Sequence, residues 1–261
     1  MVYQGSKRKI LDKILPFIQS TINKNHIENY YEFFVGGANV IDSVKCKNRY
    51  GSDINDELIS LLIYMRDNPT LPIAPQDCSF EHYSDVRESR KLKDGRYSKE
   101  YIALIGYFAS FGGRYFNGGY GRDAKGGRCI YKERLNFALN QAVKLKGIDF
   151  KCRSWEEYNV DDFENCVIYL DPPYRNSKEY DSMGNFNYEK FYDFCRQLGK
   201  NNYVFISEYN MPNDFDVVWS EEVKVLQKSD RNKGDVALEK LFYIGKNSVL
   251  FGKQVDDIFE L

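Results

Sequence analysis

The strongest constraint on the fold is an alternation of helical and strand-like patterns over the first 66 residues. Apolar residues recur at helical spacing from Lys7 to Ile22, a strand-like run ends at Phe34, and a second strand ends at Asp53. Helices are also predicted from Ala38 to Val44 and from Asn55 to Arg66. Such alternation is typical of an open, largely parallel sheet covered by helices. The chain is therefore predicted to be an α/β protein.

The alternation stops in the middle of the chain and then resumes. Prolines at positions 69, 72 and 75 interrupt it, and residues 68–147 show two helical patterns but no clear strands. The strand-like runs that follow are Ile148 to Cys152, Cys166 to Leu170, Tyr203 to Ser207, Val217 to Leu226 and Leu238 to Ile244. The last two are predicted to form an antiparallel pair. We therefore predict a core made of residues 1–67 and 148–261, with an inserted, mainly helical domain at 68–147.

Composition excludes several classes of protein. Of the 261 residues, 43% are hydrophobic and 29% are charged, as in globular proteins, and no apolar run could span a membrane. The polar, basic segment Met1 to Lys9 has no apolar run behind it, so we expect no secretory signal and a cytoplasmic location. Six cysteines without a CxxC pair and only two histidines lack the spacing of a zinc site, so no metal is expected. A chain of this size for which no secretory signal is expected is also not expected to have a disulfide framework.

Basic charge is concentrated in one stretch of a chain whose net charge is -1. Residues 85–134 hold twelve Lys and Arg against six Asp and Glu, and their centre, residues 112–128, is rich in glycine and aromatic residues. Arginines interleaved with aromatic side chains suit phosphates and exposed bases. A solvated loop without a partner is the alternative that composition leaves open.

Two predicted strands end in residues that suit a nucleotide-like ligand. The strand that ends at Phe34 leads into Gly36 and Gly37, which would let a ligand approach the backbone, although a plain tight turn has the same pattern. The next strand ends at Asp53. Its carboxylate could accept hydrogen bonds from ribose hydroxyls, and Asp53 or Asn55 could also cap the following helix.

The most specific motif is the tetrapeptide from Asp171 to Tyr174, directly after the apolar run Cys166 to Leu170. Pro172 and Pro173 fix the backbone dihedral angles and remove two N–H donors. The Asp171 carboxylate and the backbone carbonyls then offer acceptors to a planar amino group, and Tyr174 offers a flat face to a ring. A plain turn explains this pattern poorly when the other two motifs precede it.

These motifs, in this order, resemble those of the Dam-type, D12-class DNA adenine-N6 methyltransferases. Tyr3 to Lys7 is similar to the N-terminal motif of the family, Glu32 to Ala38 to its cofactor-binding strand and turn, and Asp53 to Asn55 to its acidic ribose contact. Asp171 to Tyr174 matches its catalytic tetrapeptide in full. The resemblance implies a Rossmann-like sheet with the target-recognition domain inserted at 68–147.

The family implies an enzyme that uses S-adenosyl-L-methionine (AdoMet) to methylate the N6 amino group of a flipped adenine at a specific site in double-stranded DNA. The catalytic residues that it implies are Asp171, Pro172, Pro173 and Tyr174. The implied cofactor contacts are Tyr3, Lys7, Phe34, Gly36, Gly37, Asp53, Ile54, Trp155 and Asp171. The candidate DNA contacts, all in the basic stretch, are Arg114, Tyr115, Asn117, Tyr120, Arg122 and Arg128.

Other functions stay open at this level. The same chemistry could act on the N4 amino group of cytosine, on RNA or on a protein amide, whereas a GxGxxG run for a dinucleotide oxidoreductase is missing. Phe33 and Ala38 stand where the family usually has Pro and often has Gly, which leaves a non-catalytic DNA-binding homologue as an alternative. A restriction endonuclease is a candidate partner. The DNA target and the oligomeric state cannot be read from the sequence.

Overall fold

A computed structural model of the protein describes residues 1–122, 129–174, 186–224 and 236–246. Its α-helices are α1 (Leu11–Lys24), α2 (Asp56–Asp67), α3 (Phe80–Leu92), α4 (Lys99–Phe108), α5 (Ile130–Ala142) and α6 (Tyr188–Gly199). Its strands are β1 (Asn29–Glu32), β2 (Asn48–Asp53), β3 (Ile148–Cys152), β4 (Val167–Leu170), β5 (Tyr203–Glu208), β6 (Asp216–Lys224) and β7 (Val236–Gly245).

The seven strands belong to one mixed sheet with the order β3-β2-β1-β4-β5-β7-β6. β2 pairs with β3 in parallel, and β4 pairs in parallel with both β1 and β5. β7 runs antiparallel to β5 and to β6, so the predicted antiparallel pair near the end of the chain is confirmed. A mostly parallel sheet with helices between its strands confirms the predicted α/β, Rossmann-like methyltransferase class.

The chain forms two compact units. The first comprises Met1–Lys9, Val35–Val44 and Arg49–Trp155, and the second comprises Ile10–Phe34, Lys45–Asn48 and Glu156–Leu261. The segment 68–147 lies wholly within the first unit, together with β3 and with β2 from Arg49 onward. The division of the chain into two core parts and an inserted domain stays a prediction.

The first unit is largely helical outside β2 and β3. Asn55 caps α2, because its side chain accepts a hydrogen bond from the backbone N–H of Leu58 at 3.0 Å. α4 is the most deeply buried helix of the segment 68–147, and it packs against α2, α3 and α5. The buried guanidinium of Arg134 on α5 donates to backbone carbonyls at the end of α4, on Tyr107, Phe108 and Ser110. The carbonyls of Tyr107 and Phe108 belong to the last turn of α4, where the helix itself provides no partners.

One helix of this unit, α3, was not predicted from the sequence. Its chain is mostly polar and charged, and only Tyr83, Val86 and Ser89 are buried, at intervals of three residues. So narrow an apolar stripe gives a weak helical signal. Ser79 marks its start, because the Ser79 hydroxyl accepts a hydrogen bond from the backbone N–H of His82 at 3.1 Å.

The second unit is built around strands that are buried on both faces. Every residue of β4 and of β5 is buried, as the unbroken apolar runs predicted. Phe33, where the family usually has Pro, belongs to this core: its ring stacks on Tyr158 with centroids 4.2 Å apart and contacts Phe163 at 5.3 Å. The departure at this position therefore serves packing.

The predicted helix from Ala38 to Val44 is wrong. Residues 36–43 form consecutive turns, here called the glycine turn. Gly36 and Ala38 both adopt left-handed backbone conformations, with φ of 46° and 54°. A right-handed helix cannot include residues with left-handed backbone conformations. Such a conformation is also costly for Ala38, because its Cβ crowds the following carbonyl oxygen.

Replacing Ala38 with Gly should stabilise the protein. Removal of the Cβ relieves the left-handed strain, so the free energy of unfolding is expected to rise by about 1 kcal/mol in urea titrations. Ala103→Gly, in the buried interior of α4, is the matched control and should lower that free energy by about 1 kcal/mol. A loss of stability in Ala38→Gly would contradict the strain at this position.

Candidate functional site

In the first unit, the glycines after Phe34 make room for a tyrosine. A Cβ on Gly36 would lie 2.9 Å from Cε1 of Tyr3, and a Cβ on Gly37 would lie 2.7 Å from Cβ of Tyr3. Tyr3 is itself one of the predicted cofactor contacts, and its ring lies 5.6 Å from that of Tyr107 on α4. The two glycines thus allow Tyr3 to pack directly on the turn.

Asp53 ties the glycine turn to the end of β2. One carboxylate oxygen accepts the backbone N–H of Gly36 at 3.1 Å, and the other accepts that of Asn55 at 3.0 Å. Burial raises the pKa of Asp53 above its ordinary value of 3.8, and the backbone hydrogen bonds oppose that shift. Of the two residues predicted as possible caps of the following helix, Asn55 caps α2 and Asp53 does not.

Several polar groups around the glycine turn fit AdoMet. Lys7 is buried, and its ammonium donates to the backbone carbonyl of Gly5 at 3.5 Å. Asp53 brings a carboxylate to the turn. Nδ2 of Asn39 is buried and has no hydrogen-bond partner within the described residues, and it lies 2.7 Å from where a Cβ on Gly37 would be. Lysine and amide donors suit a carboxylate such as that of the methionine moiety, and an aspartate suits ribose hydroxyls. Asn39 was not among the predicted contacts.

The remaining predicted cofactor residues differ in exposure. Ile54 follows Asp53 and is 71% exposed, so it can offer an apolar surface to a ligand. Trp155 is buried in a short 3₁₀ helix, Trp155–Glu157. Phe34 lies in the second unit, where its ring packs against that of Phe191 with centroids 5.8 Å apart.

In the second unit, the tetrapeptide follows β4 directly, and its last residue is held by neighbours. The Tyr174 hydroxyl donates to Oε2 of Glu239 on β7 at 3.2 Å, and its ring meets that of Tyr209 edge-on with centroids 4.6 Å apart. The Tyr188 hydroxyl, at the start of α6, donates to the carbonyl of Pro173 at 2.9 Å. Tyr209 lies in the segment Ser207 to Asn210, where the family resemblance predicts a later core motif. Glu239 and Tyr188 carry no motif that sequence reasoning could have found.

The Tyr174 hydroxyl is set to remain a donor. Burial, followed by the charges of Asp171 and Glu239, raises the pKa of Tyr174 well above its ordinary value of 10.0. The protonated hydroxyl can therefore keep its bond to Glu239 at any physiological pH. This contact limits the orientations of the ring that follows the two prolines.

The predicted DNA contacts do not all lie at the surface. Arg114, Asn117 and Arg122 are exposed, and the Arg122 guanidinium lies 4.8 Å from the ring centroid of Phe80. Tyr115 is partly buried, and its hydroxyl donates to Glu57.

The last two predicted DNA contacts are Tyr120 and Arg128. Tyr120 is partly buried, and its hydroxyl donates to the carbonyl of Cys78 at 2.5 Å. Its ring lies 5.7 Å from the Arg122 guanidinium, so it supports that exposed arginine. Arg128 lies outside the described residues.

The described part of the chain contains neither a cluster of metal ligands nor a helix that could span a membrane. No group of three or more His, Cys, Asp and Glu side chains there could hold a metal ion. No helix among the same residues is long and apolar enough to cross a membrane. The expectation that no metal takes part stays a prediction.

Comparison with known protein families identifies the class. The model of the family described as D12 class N6 adenine-specific DNA methyltransferase matches residues 3–230. The match covers most of the chain, including the glycine turn, Asp53 and the tetrapeptide. The chain belongs to this family of adenine-specific DNA methyltransferases, and the resemblance found in the sequence is confirmed.

Two relatives of the chain are named type II methyltransferases. The chain is 29% identical over 211 residues to the type II methyltransferase M1.LlaDCHI of Lactococcus lactis subsp. cremoris, which covers 72% of this chain and 70% of that protein. It is 24% identical over 260 residues to the type II methyltransferase M.FokI of Planomicrobium okeanokoites, and this alignment covers 88% of the present chain. The chain spans only 39% of the length of M.FokI.

A solved structure of a methyltransferase, SMU.472 complexed with SAH, shows a distant likeness. The sequence identity is 11%, the TM-score is 0.25, and the alignment covers 57% of this chain and 46% of that one. So low a score carries no argument about this chain.

Proposed function

We propose that this chain transfers a methyl group from AdoMet to the N6 amino group of a flipped adenine at a specific site in double-stranded DNA. The observation that carries the proposal is the complete Asp171 to Tyr174 tetrapeptide, placed directly after the fully buried strand β4 in a chain of the D12 family. Family membership supports the reaction class, and the tetrapeptide supports an amino group as the acceptor.

The chain would hold AdoMet with groups of the first unit. Asp53 would accept hydrogen bonds from the ribose hydroxyls, and Lys7 and Nδ2 of Asn39 would donate to the methionine carboxylate. Tyr3, packed on the glycine turn, would form one side of the site. The further candidate contacts within that unit are Gly36, Gly37, Ile54 and Trp155. The cofactor contacts predicted for Phe34 and Asp171 rest on the family resemblance. Bound AdoMet supplies the electrophilic methyl group.

The tetrapeptide would hold the adenine. The Asp171 carboxylate and the Pro172 carbonyl would accept hydrogen bonds from the amino group, which localises the lone pair of the nitrogen. Tyr174 would stack on the flipped ring, and its bond to Glu239 would limit the orientations of the phenol. Most of the rate gain would come from holding the amino group in a reactive orientation.

The segment 68–147 would recognise the DNA target. Its basic stretch supplies three exposed side chains for this purpose, those of Arg114, Asn117 and Arg122. Arginine can bind guanine with two hydrogen bonds, and asparagine can bind adenine in the same way. The names of the type II relatives support a restriction endonuclease as a candidate partner.

Mass spectrometry of nucleosides tests the reaction. Unmethylated DNA that contains all short sequence contexts, incubated with AdoMet and the parent protein, is expected to yield N6-methyladenine. Asp171→Ala should reduce the yield by about 100-fold or more, because the amino group loses an acceptor. The exposed Asp161→Ala is the matched control and should keep the parent yield. N4-methylcytosine would move the target to cytosine, and no methylated base would refute the proposed reaction.

The raised pKa of Asp53 predicts how AdoMet binding depends on pH. The ionised carboxylate is the form that accepts from ribose hydroxyls, and protonation of Asp53 begins at a higher pH than for an ordinary aspartate. The affinity of the parent for AdoMet, measured by calorimetry from pH 8 down to pH 5, should therefore fall as the pH falls.

Asp53→Asn removes the titrating group and should bind AdoMet about tenfold more weakly at pH 8, with a flatter pH dependence. Asp56→Asn, at an exposed residue paired with Lys99, is the control and should follow the parent curve. An Asp53→Asn curve that coincides with that of the parent would contradict the ribose contact.

Arg122→Ala should weaken DNA binding without changing AdoMet binding. If Arg122 contacts a phosphate, the dependence of log K on log salt should also lose about one unit of slope. Arg96→Ala, whose guanidinium is paired with Asp85 and Asp94, is the control and should bind DNA like the parent. Equal losses of DNA and AdoMet affinity in Arg122→Ala would refute a role confined to DNA.

A further inference from the structure

A glutamine from the segment 68–147 contacts the glycine turn. Gln141, near the end of α5, is only 3% exposed. Its Nε2 lies 3.0 Å from the carbonyl oxygen of Gly37, 2.9 Å from that of Ala38, and 2.9 Å from Oδ2 of Asp42. All of these residues belong to the first unit, so the contact is internal to one compact body.

The chemistry of the three partners fixes the orientation of the amide. Each of them is an oxygen that can only accept, so the nitrogen of the amide must face the turn. The other atom of the amide, Oε1, accepts from the amino group of Met1. Nε2 carries only two hydrogens for three acceptors, so the acceptors share them.

The two carbonyls depend on this contact. In a regular helix they would accept backbone N–H groups one turn later, but residues 36–43 form turns. Within the described residues, no backbone N–H donates to the carbonyl of Gly37 or of Ala38. Buried carbonyls without partners cost free energy, so Gln141 replaces the missing helical bonds.

A second side chain holds the same turn from another direction. The Arg8 guanidinium donates to both carboxylate oxygens of the fully buried Asp42 and to Oδ1 of Asn39 at 3.2 Å. With its oxygen bound by Arg8, Asn39 keeps Nδ2 on the side of Gly37. That nitrogen has no partner in the described part of the chain. The turn is thus anchored by remote side chains while one of its own donors is left unsatisfied.

We propose that Gln141 is a positioning residue for AdoMet. By binding the carbonyls of Gly37 and Ala38, it holds the glycine turn in the conformation that presents Asn39 and supports Tyr3. The segment proposed to recognise DNA thereby contributes to the cofactor site. This inference rests on the proposed function, because it takes the glycine turn to be the place where AdoMet binds.

Gln141→Met tests the inference. Methionine matches glutamine in length and volume but cannot donate to the carbonyls. We expect the Kd for AdoMet, measured by calorimetry without DNA, to rise about tenfold. The KM for AdoMet should rise in parallel, and kcat at saturating AdoMet should stay within about twofold of the parent. The Kd for DNA, measured by fluorescence anisotropy without cofactor, should not change.

Arg134→Met is the matched control for a purely structural effect. Arg134 lies on the same helix and is also buried, and it donates to backbone carbonyls, but those belong to the end of α4. Its loss should lower the midpoint of urea unfolding while the Kd for AdoMet stays within about twofold of the parent. Equal weakening of AdoMet binding in the two variants would overturn the positioning role.

A second variant covers the case in which Gln141→Met does not fold. Gln141→Asn keeps the amide, but its side chain is one methylene shorter, so the amide nitrogen lies farther from the carbonyls of the glycine turn. This variant should therefore also raise the Kd for AdoMet. Parent-like AdoMet binding in either folded variant would overturn the inference alone. Failure of the parent protein itself to bind AdoMet would overturn the proposed function, and the inference with it.

Discussion

The Asp53 carboxylate is the interaction on which the proposed cofactor site depends. It receives the backbone N–H of Gly36 from the glycine turn and that of Asn55 from the start of α2. Two segments that are distant in sequence are thereby fixed at the end of β2. Burial raises the pKa of Asp53, which means that the ionised carboxylate carries a desolvation cost that its backbone hydrogen bonds offset only in part. A ligand that donates hydrogen bonds to it would recover some of that cost.

Around this carboxylate, the glycine turn is stabilised by contacts with side chains and not by the backbone hydrogen bonds of a helix. Tyr3 packs on its glycines, Arg8 binds Asp42, and Gln141 binds its carbonyls. Tyr3 and Arg8 come from the N-terminal segment and Gln141 comes from α5, so the turn depends on packing between distant segments of the first unit. A loop built in this way can keep left-handed residues because its surroundings determine its conformation.

The accuracy of the sequence predictions followed the strength of each local signal. β4 and β5 were found because both faces are buried and each strand contains an unbroken run of four apolar residues, which leaves no competing pattern. α3 was missed because its apolar stripe is narrow, and the helix from Ala38 to Val44 was predicted wrongly because left-handed conformations are not visible in composition. Phe33 was taken as a departure near the cofactor, whereas its stacking on Tyr158 places it in the core of the second unit.

The sequence by itself determined the family, the fold class and the chemical groups at the strand ends, because short motifs and apolar periodicity are local properties of the chain. Tertiary structure decided which partners those groups have. The Tyr174 hydroxyl donates to Glu239, and the Tyr115 hydroxyl donates to Glu57. Gln141 donates to the carbonyl of Gly37, which lies more than a hundred residues away in the chain. No local pattern encodes such contacts, because they arise only when packing brings distant side chains together.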